Sequence, residues 1–103
     1  MDTEPDDLTA DYTLDGDTAV MRIIGEIDIA TRDTVSDAAR AAVAAGASRL
    51  VLDMSAVTFM DSSGIGAVLT THAIAPVTLR QPSDIVQRLL AATGLTDSFT
   101  VES

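Results

Sequence analysis

Two adjacent serines, Ser62 and Ser63, lie between an aspartate and a glycine in the segment DSSG, residues 61–64. Hydroxyl groups in such a segment cap helices, act as nucleophiles in catalysis, or accept a phosphoryl group from a kinase. The segment follows a short apolar run at 49–54 and precedes a helical pattern that starts at Ile65. The rest of the sequence has to distinguish between these three uses.

Helix capping is the simplest use of the DSSG segment. Serine and aspartate are common N-cap residues because their side-chain oxygens accept hydrogen bonds from the free N–H groups of the first turn. Gly64 and Gly66 would then serve only to let the helix approach a sheet closely. The local pattern, taken alone, favours this interpretation.

Hydrolytic catalysis by either serine is rejected because no base can reach it. A nucleophilic serine at a strand-to-helix turn is flanked by glycines and needs a histidine nearby, whereas here the glycines follow the serines. His72 is the only histidine and lies ten residues beyond Ser62, roughly 15 Å along a helix that rises 1.5 Å per residue. We therefore expect no catalytic residue and no enzyme activity.

Nucleotide and metal sites lack their usual residues as well. Gly64-Ile65-Gly66 is similar to part of a dinucleotide loop, but Leu69 stands in place of the third glycine, and the chain has no lysine for a Walker-type loop. The absence of cysteine and the single histidine leave no ordinary set of zinc ligands. The sequence predicts no cofactor and no metal.

Composition narrows the class of partner. The 103 residues carry 16 acids against 6 bases, a formal net charge of −10, and 47% of them are apolar. Such a chain is repelled by phosphate backbones and anionic lipid, so we expect no direct nucleic-acid or membrane partner but a neutral or basic protein surface. No apolar run reaches the roughly 18 residues of a membrane span. The acidic start MDTEPDD is unlike a signal peptide, and a cytoplasmic location is expected.

A phosphoacceptor serine needs none of the missing partners. An exposed hydroxyl at a helix N-terminus can be modified by an external kinase that supplies the catalysis itself. The helix dipole and the free N–H groups of the first turn tolerate the new dianion. Residue patterns alone leave capping and phosphorylation as open alternatives for Ser62.

The elements that position the DSSG segment alternate between strand and helix. We expect residues 1–7 to form a flexible acidic N-terminus and residues 8–103 to form one domain. The first two strands, joined by the turn signal at 15–17, predict a hairpin. The later alternation predicts an α/β domain with parallel pairing, a mixed sheet of four to five strands and about three helices. The predicted strands are 8–14, 18–25, 49–54, 77–80 and 98–101, and the helices begin near Ala30, Ile65 and Pro82.

Three motifs in order along the chain resemble the STAS domain of bacterial anti-sigma factor antagonists. They are GEID at 25–28, LVLDMSAVTFMDSSGIG at 50–66 and RLLAATGLTDSF at 88–99. The likeness runs from about residue 8 to residue 101, and the central block is the specific part. The resemblance implies a single STAS-type domain that serves as a regulatory binding module.

The resemblance also assigns roles to the residues of two motifs. It implies that Ser62 is phosphorylated by a partner that is both anti-sigma factor and serine kinase, with Asp61 preceding the acceptor and Ser63 supporting the loop. The acidic GEID loop of the family lies beside the phosphorylated loop, which maps to Glu26 and Asp28. The partner-binding set is therefore Glu26, Asp28, Asp61, Ser62, Ser63 and Gly64.

The implied function is a switch between partners. The unphosphorylated protein binds the anti-sigma kinase and frees a sigma factor, phosphorylation of Ser62 breaks the complex, and a serine phosphatase resets it. The alternative is a STAS module that acts as a structural or scaffold subunit of a lipid-transport or stress-sensing assembly. In that case the DSSG segment is a docking surface without a phosphorylation cycle.

Several residues near these motifs have plain structural explanations. Asp28 is suited to cap the helix that starts near Ala30, and Phe59 and Met60 are expected in the core. Asp53 is expected to be structural, and His72 a surface residue rather than a ligand. The segment AVLTTHAIA is several residues shorter than is usual in the family, so the second helix must be short or its exit loop tight.

Overall fold

The computed structural model describes residues 8–102, so the prediction for residues 1–7 lies outside the described residues. It contains a five-stranded mixed sheet with an N-terminal hairpin and three α-helices, which confirms the predicted fold class. The elements are β1 (Leu8–Asp15), β2 (Thr18–Ile27), α1 (Arg32–Ala44), β3 (Arg49–Met60), α2 (Ser62–Ile74), β4 (Val77–Arg80), α3 (Asp84–Ala92), a 3-10 turn (Thr96–Ser98) and β5 (Thr100–Glu102).

The strands lie in the sheet in their chain order. β1 and β2 pair in antiparallel fashion around Gly16, whose φ of +65° suits a tight turn, and β2 to β5 pair in parallel. Helices connect the parallel strands, as this pairing requires. Because β2 and β3 end at the same edge of the sheet, α1 and α2 both begin there and run side by side in the same direction.

One face of the sheet carries the core and the other is open. Alternate residues of β2 and β3 are fully buried where the three helices pack, while the residues between them are mostly exposed or half-buried. The molecule measures 39 × 34 × 21 Å, and its short dimension fits a sheet with one helical layer. The core is lined by Ala19, Met21, Ile23, Leu50, Leu52, Met54 and Leu79 from the sheet and by Val35, Ala39, Val68, Val86 and Leu90 from the helices.

The open face carries a row of charges that crosses all five strands. The register places one charged residue of each strand side by side, and the sign alternates from strand to strand. At the end of the row, Arg80 Nε lies 3.0 Å from Glu102 Oε1. The row runs Asp11, Arg22, Asp53, Arg80, Glu102.

Gly94, which follows the last helical turn, and the apolar Leu95 after it are typical of a helix C-terminus, and α3 ends in this way. Gly94 has a φ of +73°, and its N–H donates to the carbonyl oxygen of Ala91 at 3.2 Å. Leu95 folds back so that its N–H donates to the carbonyl oxygen of Leu90 at 2.9 Å. These two bonds form a Schellman motif, which satisfies carbonyls that the helix end would leave free.

β3 is longer than predicted and ends at Met60 instead of Met54. Two register shifts each place one extra β3 residue opposite β2, the first between Asp53 and Ala56 and the second between Val57 and Phe59. Asp53 Oδ1 accepts hydrogen bonds from Ser55 N at 3.1 Å and Ser55 Oγ at 2.8 Å, consistent with the structural role expected for it. A bulge interrupts the period of two in side-chain orientation along a strand. The alternating sequence pattern could therefore be followed only as far as the first bulge, and the predicted strand ended there.

The second helix also differs from its expected length. α2 covers 13 residues, from Ser62 to Ile74, and only Ala75 and Pro76 separate it from β4. The shortened segment is therefore accommodated by a tight exit and not by a short helix. β5 begins two residues later than predicted because Thr96–Ser98 forms a 3-10 turn.

Candidate functional site

Asp61, and not either serine, caps α2. Its backbone is extended, and its Oδ1 accepts a hydrogen bond from Ser63 N at 2.9 Å. Its carbonyl oxygen accepts from the N–H groups of Gly64 and Ile65 at 2.9 and 3.2 Å. Its own N–H donates to the carbonyl oxygen of Ile27 at 3.4 Å, which ties the start of α2 to the end of β2. Ser62 is thus the first helical residue, and the cap does not use its hydroxyl.

Gly64 lets the first turn of α2 lie directly on the sheet. It is buried, and a Cβ atom built on it would lie 2.9 Å from Met60 Sδ, 3.2 Å from Ile27 Cγ2 and closer still to Met60 Cγ. Real Cβ atoms almost never approach so closely. The glycine therefore fixes how near Ser62 sits to the ends of β2 and β3.

The Ser62 side chain is exposed. Within residues 8–102, its hydroxyl makes no side-chain hydrogen bond, whereas Ser63 is half-buried and donates its N–H to Asp61. His72 lies near the opposite end of α2, where its Nδ1 accepts a hydrogen bond from Val77 N at 3.1 Å and its ring meets Phe99 edge-on at 5.6 Å. His72 is an exposed residue, as predicted, and it is no base for Ser62.

The GEID residues form a tight turn before α1. Asp28 Oδ1 accepts hydrogen bonds from Ala30 N at 3.0 Å and Thr31 N at 3.2 Å. Both N–H groups precede α1, whose N-cap is Thr31 and which has no side-chain cap, so the prediction that Asp28 caps this helix is wrong, and Asp28 stabilises the turn before it. Thr31 Oγ1 in turn accepts from Asp28 N at 3.0 Å and donates to the carbonyl oxygen of Glu26 at 2.8 Å. This reciprocal pair holds the acidic turn in one conformation. α1 begins at Arg32, directly after Thr31.

The structure brings both acidic motifs to one edge of the sheet. Glu26 pairs in register with Phe59, and Ile27 pairs with Met60, immediately before the DSSG segment. Asp28 follows at the same edge, where the hydrogen bond from Asp61 N to Ile27 joins the two motifs. Glu26 is exposed, and Asp28 and Asp61 are half-buried. The exposed hydroxyl of Ser62 therefore lies in acidic surroundings.

The prediction for Phe59 is wrong. Its side chain is 43% exposed, whereas Met60 is 2% exposed and lies in the core as expected. The bulge at Thr58 turns Phe59 onto the open face of the sheet, beside Glu26. Val57 and Met60 both face inward although they are three residues apart in the sequence. In a regular strand, residues on one face are an even number apart, so this spacing indicates one extra residue between them.

Two further exposed residues near the edge were missed from the sequence. Ile29 stands in the acidic turn with 71% of its surface exposed. Arg32, the first residue of α1, lines a cavity of about 440 Å³ between α1 and α2. Arg32 is exposed, and neither ion pair found within residues 8–102 involves it.

Other kinds of site are not seen in the described part of the chain. Residues 8–102 contain no group of three or more histidine, aspartate and glutamate side chains arranged to hold a metal ion. None of the helices in this range has the length and apolar surface needed to cross a bilayer.

The fold and the site together define a class: a two-layer α/β domain that presents an exposed serine at a helix N-terminus, flanked by acidic residues. The family model for the STAS domain matches residues 9–103. The chain therefore belongs to the STAS domain family. No curated protein matches its sequence.

Anti-sigma factor antagonists are among the solved structures with a similar fold. A crystal structure of an anti-sigma factor antagonist from Mycobacterium paratuberculosis is 27% identical, with a TM-score of 0.82, covering 97% of this chain and 89% of that one. A putative anti-sigma factor antagonist from Thermotoga maritima is 17% identical, with a TM-score of 0.77, covering 91% and 86%. The Bacillus cell fate determinant SpoIIAA in its phosphorylated form is 22% identical, with a TM-score of 0.62, covering 92% of both chains.

Proposed function

We propose that this protein is an anti-sigma factor antagonist whose unphosphorylated form binds an anti-sigma factor with serine kinase activity and so frees a sigma factor. Phosphorylation of Ser62 breaks the complex, and a serine phosphatase restores it. The observation that carries the proposal is the exposed hydroxyl of Ser62, which the cap of α2 does not use. Support comes from the fold shared with an antagonist that has been solved in phosphorylated form.

The way α2 is capped explains why such a switch would leave the fold intact. Asp61 provides the capping oxygen, so a modified Ser62 hydroxyl costs the helix no hydrogen bond. A phosphate adds about −1.5 to −2 charges at pH 7, which a helix N-terminus favours by about 0.3–1 kcal/mol. Repulsion from Asp61 and Asp28 offsets part of this gain. We therefore expect little change in the free energy of unfolding.

Phosphorylation of Ser62 is expected to act on the affinity of the partner interface. A partner surface shaped for a hydroxyl would have to bury a dianion that no group of the partner neutralises, which costs several kcal/mol. Driving a complex from nearly all bound to nearly all free takes roughly 5.5 kcal/mol of differential affinity. The penalty for burying the phosphate is of that order. Phosphorylation can therefore dissociate the complex without unfolding either protein.

The edge around Ser62 also indicates what the partner surface must offer. Glu26, Asp28 and Asp61 make the rim acidic, while Phe59 and Ile29 expose apolar surface beside it. Exposed charges mainly steer the encounter, and buried aromatic side chains supply much of the affinity of interfaces. A surface with an apolar pocket and basic residues around it would fit this edge.

The test is reconstitution with the cognate anti-sigma factor and ATP. We expect intact-mass analysis to find one phosphate on the wild-type chain and on the Ser63→Ala control but none on Ser62→Ala. Titration should show that Ser62→Ala binds and that the phosphorylated wild type does not. Tight binding of the phosphorylated protein, or modification at Ser63, would refute the switch at Ser62. A stable native complex that never carries phosphate would support the scaffold alternative instead.

A further inference from the structure

We propose that Arg32 holds the phosphate of phosphorylated Ser62 in an ion pair across the groove between α1 and α2. The inference rests on the proposed phosphorylation of Ser62 and names the group that the phosphate meets within the same molecule. In the unphosphorylated protein Arg32 forms no ion pair within residues 8–102, and in the phosphorylated protein it would be engaged. Arg32 is a positioning residue for the phosphate and not part of any catalytic machinery.

The groove between the two helices supplies the geometry. Arg32, Ser36 and Arg40 lie four residues apart on α1, so they form one stripe along the helix, and all three line the cavity of about 440 Å³. Gly66 and Thr70 line it from α2 at the same spacing. Ser62 is four residues before Gly66 and therefore continues the α2 stripe by one turn, at the end of the groove where Arg32 lies.

The start of both helices at one edge puts the two side chains within reach. Arg32 and Ser62 are the first helical residues of α1 and α2. The axes of packed helices are about 8–10 Å apart, and Cα–Cβ bonds lean toward the helix N-terminus, so the Cα–Cβ bonds of both residues lean toward the edge at which the two helices begin. Gly66 leaves room there, because a Cβ atom built on it would meet no other atom within 4 Å. An extended arginine and a phosphoserine can meet across such a gap.

Arg32 is also the arginine best placed to respond. Among residues 8–102, Arg40 Nη1 lies 3.4 Å from Asp37 Oδ1, and Arg80 is paired with Glu102 on the open face of the sheet. Arg32 is exposed and belongs to neither pair. A guanidinium binds a phosphate through two parallel hydrogen bonds, which makes the dianion a better partner than a single surface carboxylate. The other charged groups of this region are Asp33, Asp37 and Arg40, which line the groove, and Glu26, Asp28 and Asp61 at the edge of the sheet.

The ion pair would change what a partner encounters. The phosphate would lie over the groove and not extend freely into solvent, and Arg32 would no longer be available to an acidic group of the partner. The acidic groups around Ser62 raise the phosphate pKa by like-charge repulsion, and Arg32 would lower it. Removing the arginine should therefore raise the phosphate pKa.

The experiment measures that pKa without any kinase or partner. Phosphoserine is incorporated at position 62 of the full chain by genetic encoding, and the phosphate is titrated by ³¹P NMR at low salt. We expect the phosphate pKa to be higher in Arg32→Gln than in the wild type by about 0.5, the size expected for an exposed ion pair. Arg40→Gln is the matched control, since it removes a charge from the same groove two turns away, and it should shift the pKa by much less.

The outcomes separate the ion pair from the proposed switch. An unchanged phosphate pKa in Arg32→Gln, or an equal shift in Arg40→Gln, would overturn the proposal, since the latter indicates a general charge effect. Circular dichroism checks that each variant is folded. Because the phosphoserine is introduced without a kinase, a shift specific to Arg32 would support the ion pair even if the cognate kinase failed to modify Ser62. The reconstitution with ATP tests the switch independently.

Discussion

Gly64→Ala should destabilise the domain, although alanine is ordinarily the better helix former. The new methyl group would lie 2.9 Å from Met60 Sδ, 3.2 Å from Ile27 Cγ2 and closer still to Met60 Cγ. Met60 is 2% exposed and Ile27 is fully buried, so neither side chain can swing into solvent. The first turn of α2 must therefore move away from the sheet, or Met60 must adopt a strained rotamer.

The expected magnitude follows from two opposing effects. Overpacking a core typically costs about 1–3 kcal/mol. Replacing glycine by alanine in a helix recovers up to about 1 kcal/mol, and less in the first turn. We expect the free energy of unfolding to fall by about 1–2 kcal/mol. In urea this corresponds to a midpoint lower by roughly 1 M, since small domains have slopes of about 1–3 kcal/mol per molar.

Gly66→Ala is a control on the same helix, and its free energy of unfolding should change in the opposite direction. Gly66 is exposed, and a Cβ atom built on it meets nothing within 4 Å, so only the helix-forming advantage remains. This variant should be stabilised by about 0.5–1 kcal/mol. Urea unfolding followed by circular dichroism compares the two. If Gly64→Ala is as stable as Gly66→Ala, close packing of α2 on Met60 is not what requires the glycine.

Three further outcomes are expected. Asp61→Ala should lower the free energy of unfolding by about 1 kcal/mol through loss of the cap, while Ser62→Ala should change it by less than about 0.5 kcal/mol. Equal effects of the two variants in thermal or urea melts would contradict the assignment of the cap to Asp61. Asp28→Asn should slow association with the cognate anti-sigma factor most at low salt, and stopped-flow rates that are unchanged at every ionic strength would exclude Asp28 from steering. Phe59→Ala should weaken binding at least tenfold by calorimetry with little loss of stability, and wild-type affinity would remove Phe59 from the interface.

The sequence was informative where local chemistry and global packing agree. Turn signals, helix ends and apolar periodicity gave the order of the elements, and Gly94 with Leu95 forms the predicted helix end. The position of Ser62 at the start of a helix could also be predicted, because Asp and Ser favour that place. These features depend on residues close together in the chain.

The features that could not be predicted depend on neighbours distant in the chain. The orientation of Phe59 is set by a bulge opposite β2, and an alternation pattern within one strand does not show where its partner lacks a residue. Arg32 has no motif of its own, and its relation to Ser62 exists only because α1 and α2 start at one edge of the sheet. The sequence left open whether the second helix is short or its exit tight, and the choice between them depends on where β4 pairs with β3.

The row of alternating charges on the open face favours one register of the strands over others. In β4, Val77 and Leu79 face the core while Thr78 and Arg80 face outward, so a slide of two residues would still leave apolar side chains inside and polar ones outside. Hydrophobic burial therefore discriminates poorly against that error. The same slide would move Arg80 away from Asp53 and Glu102 and set it beside uncharged residues. The charges thus select one alignment among several that hydrophobic patterning permits, and they lie on the face of the sheet that α1, α2 and α3 leave uncovered.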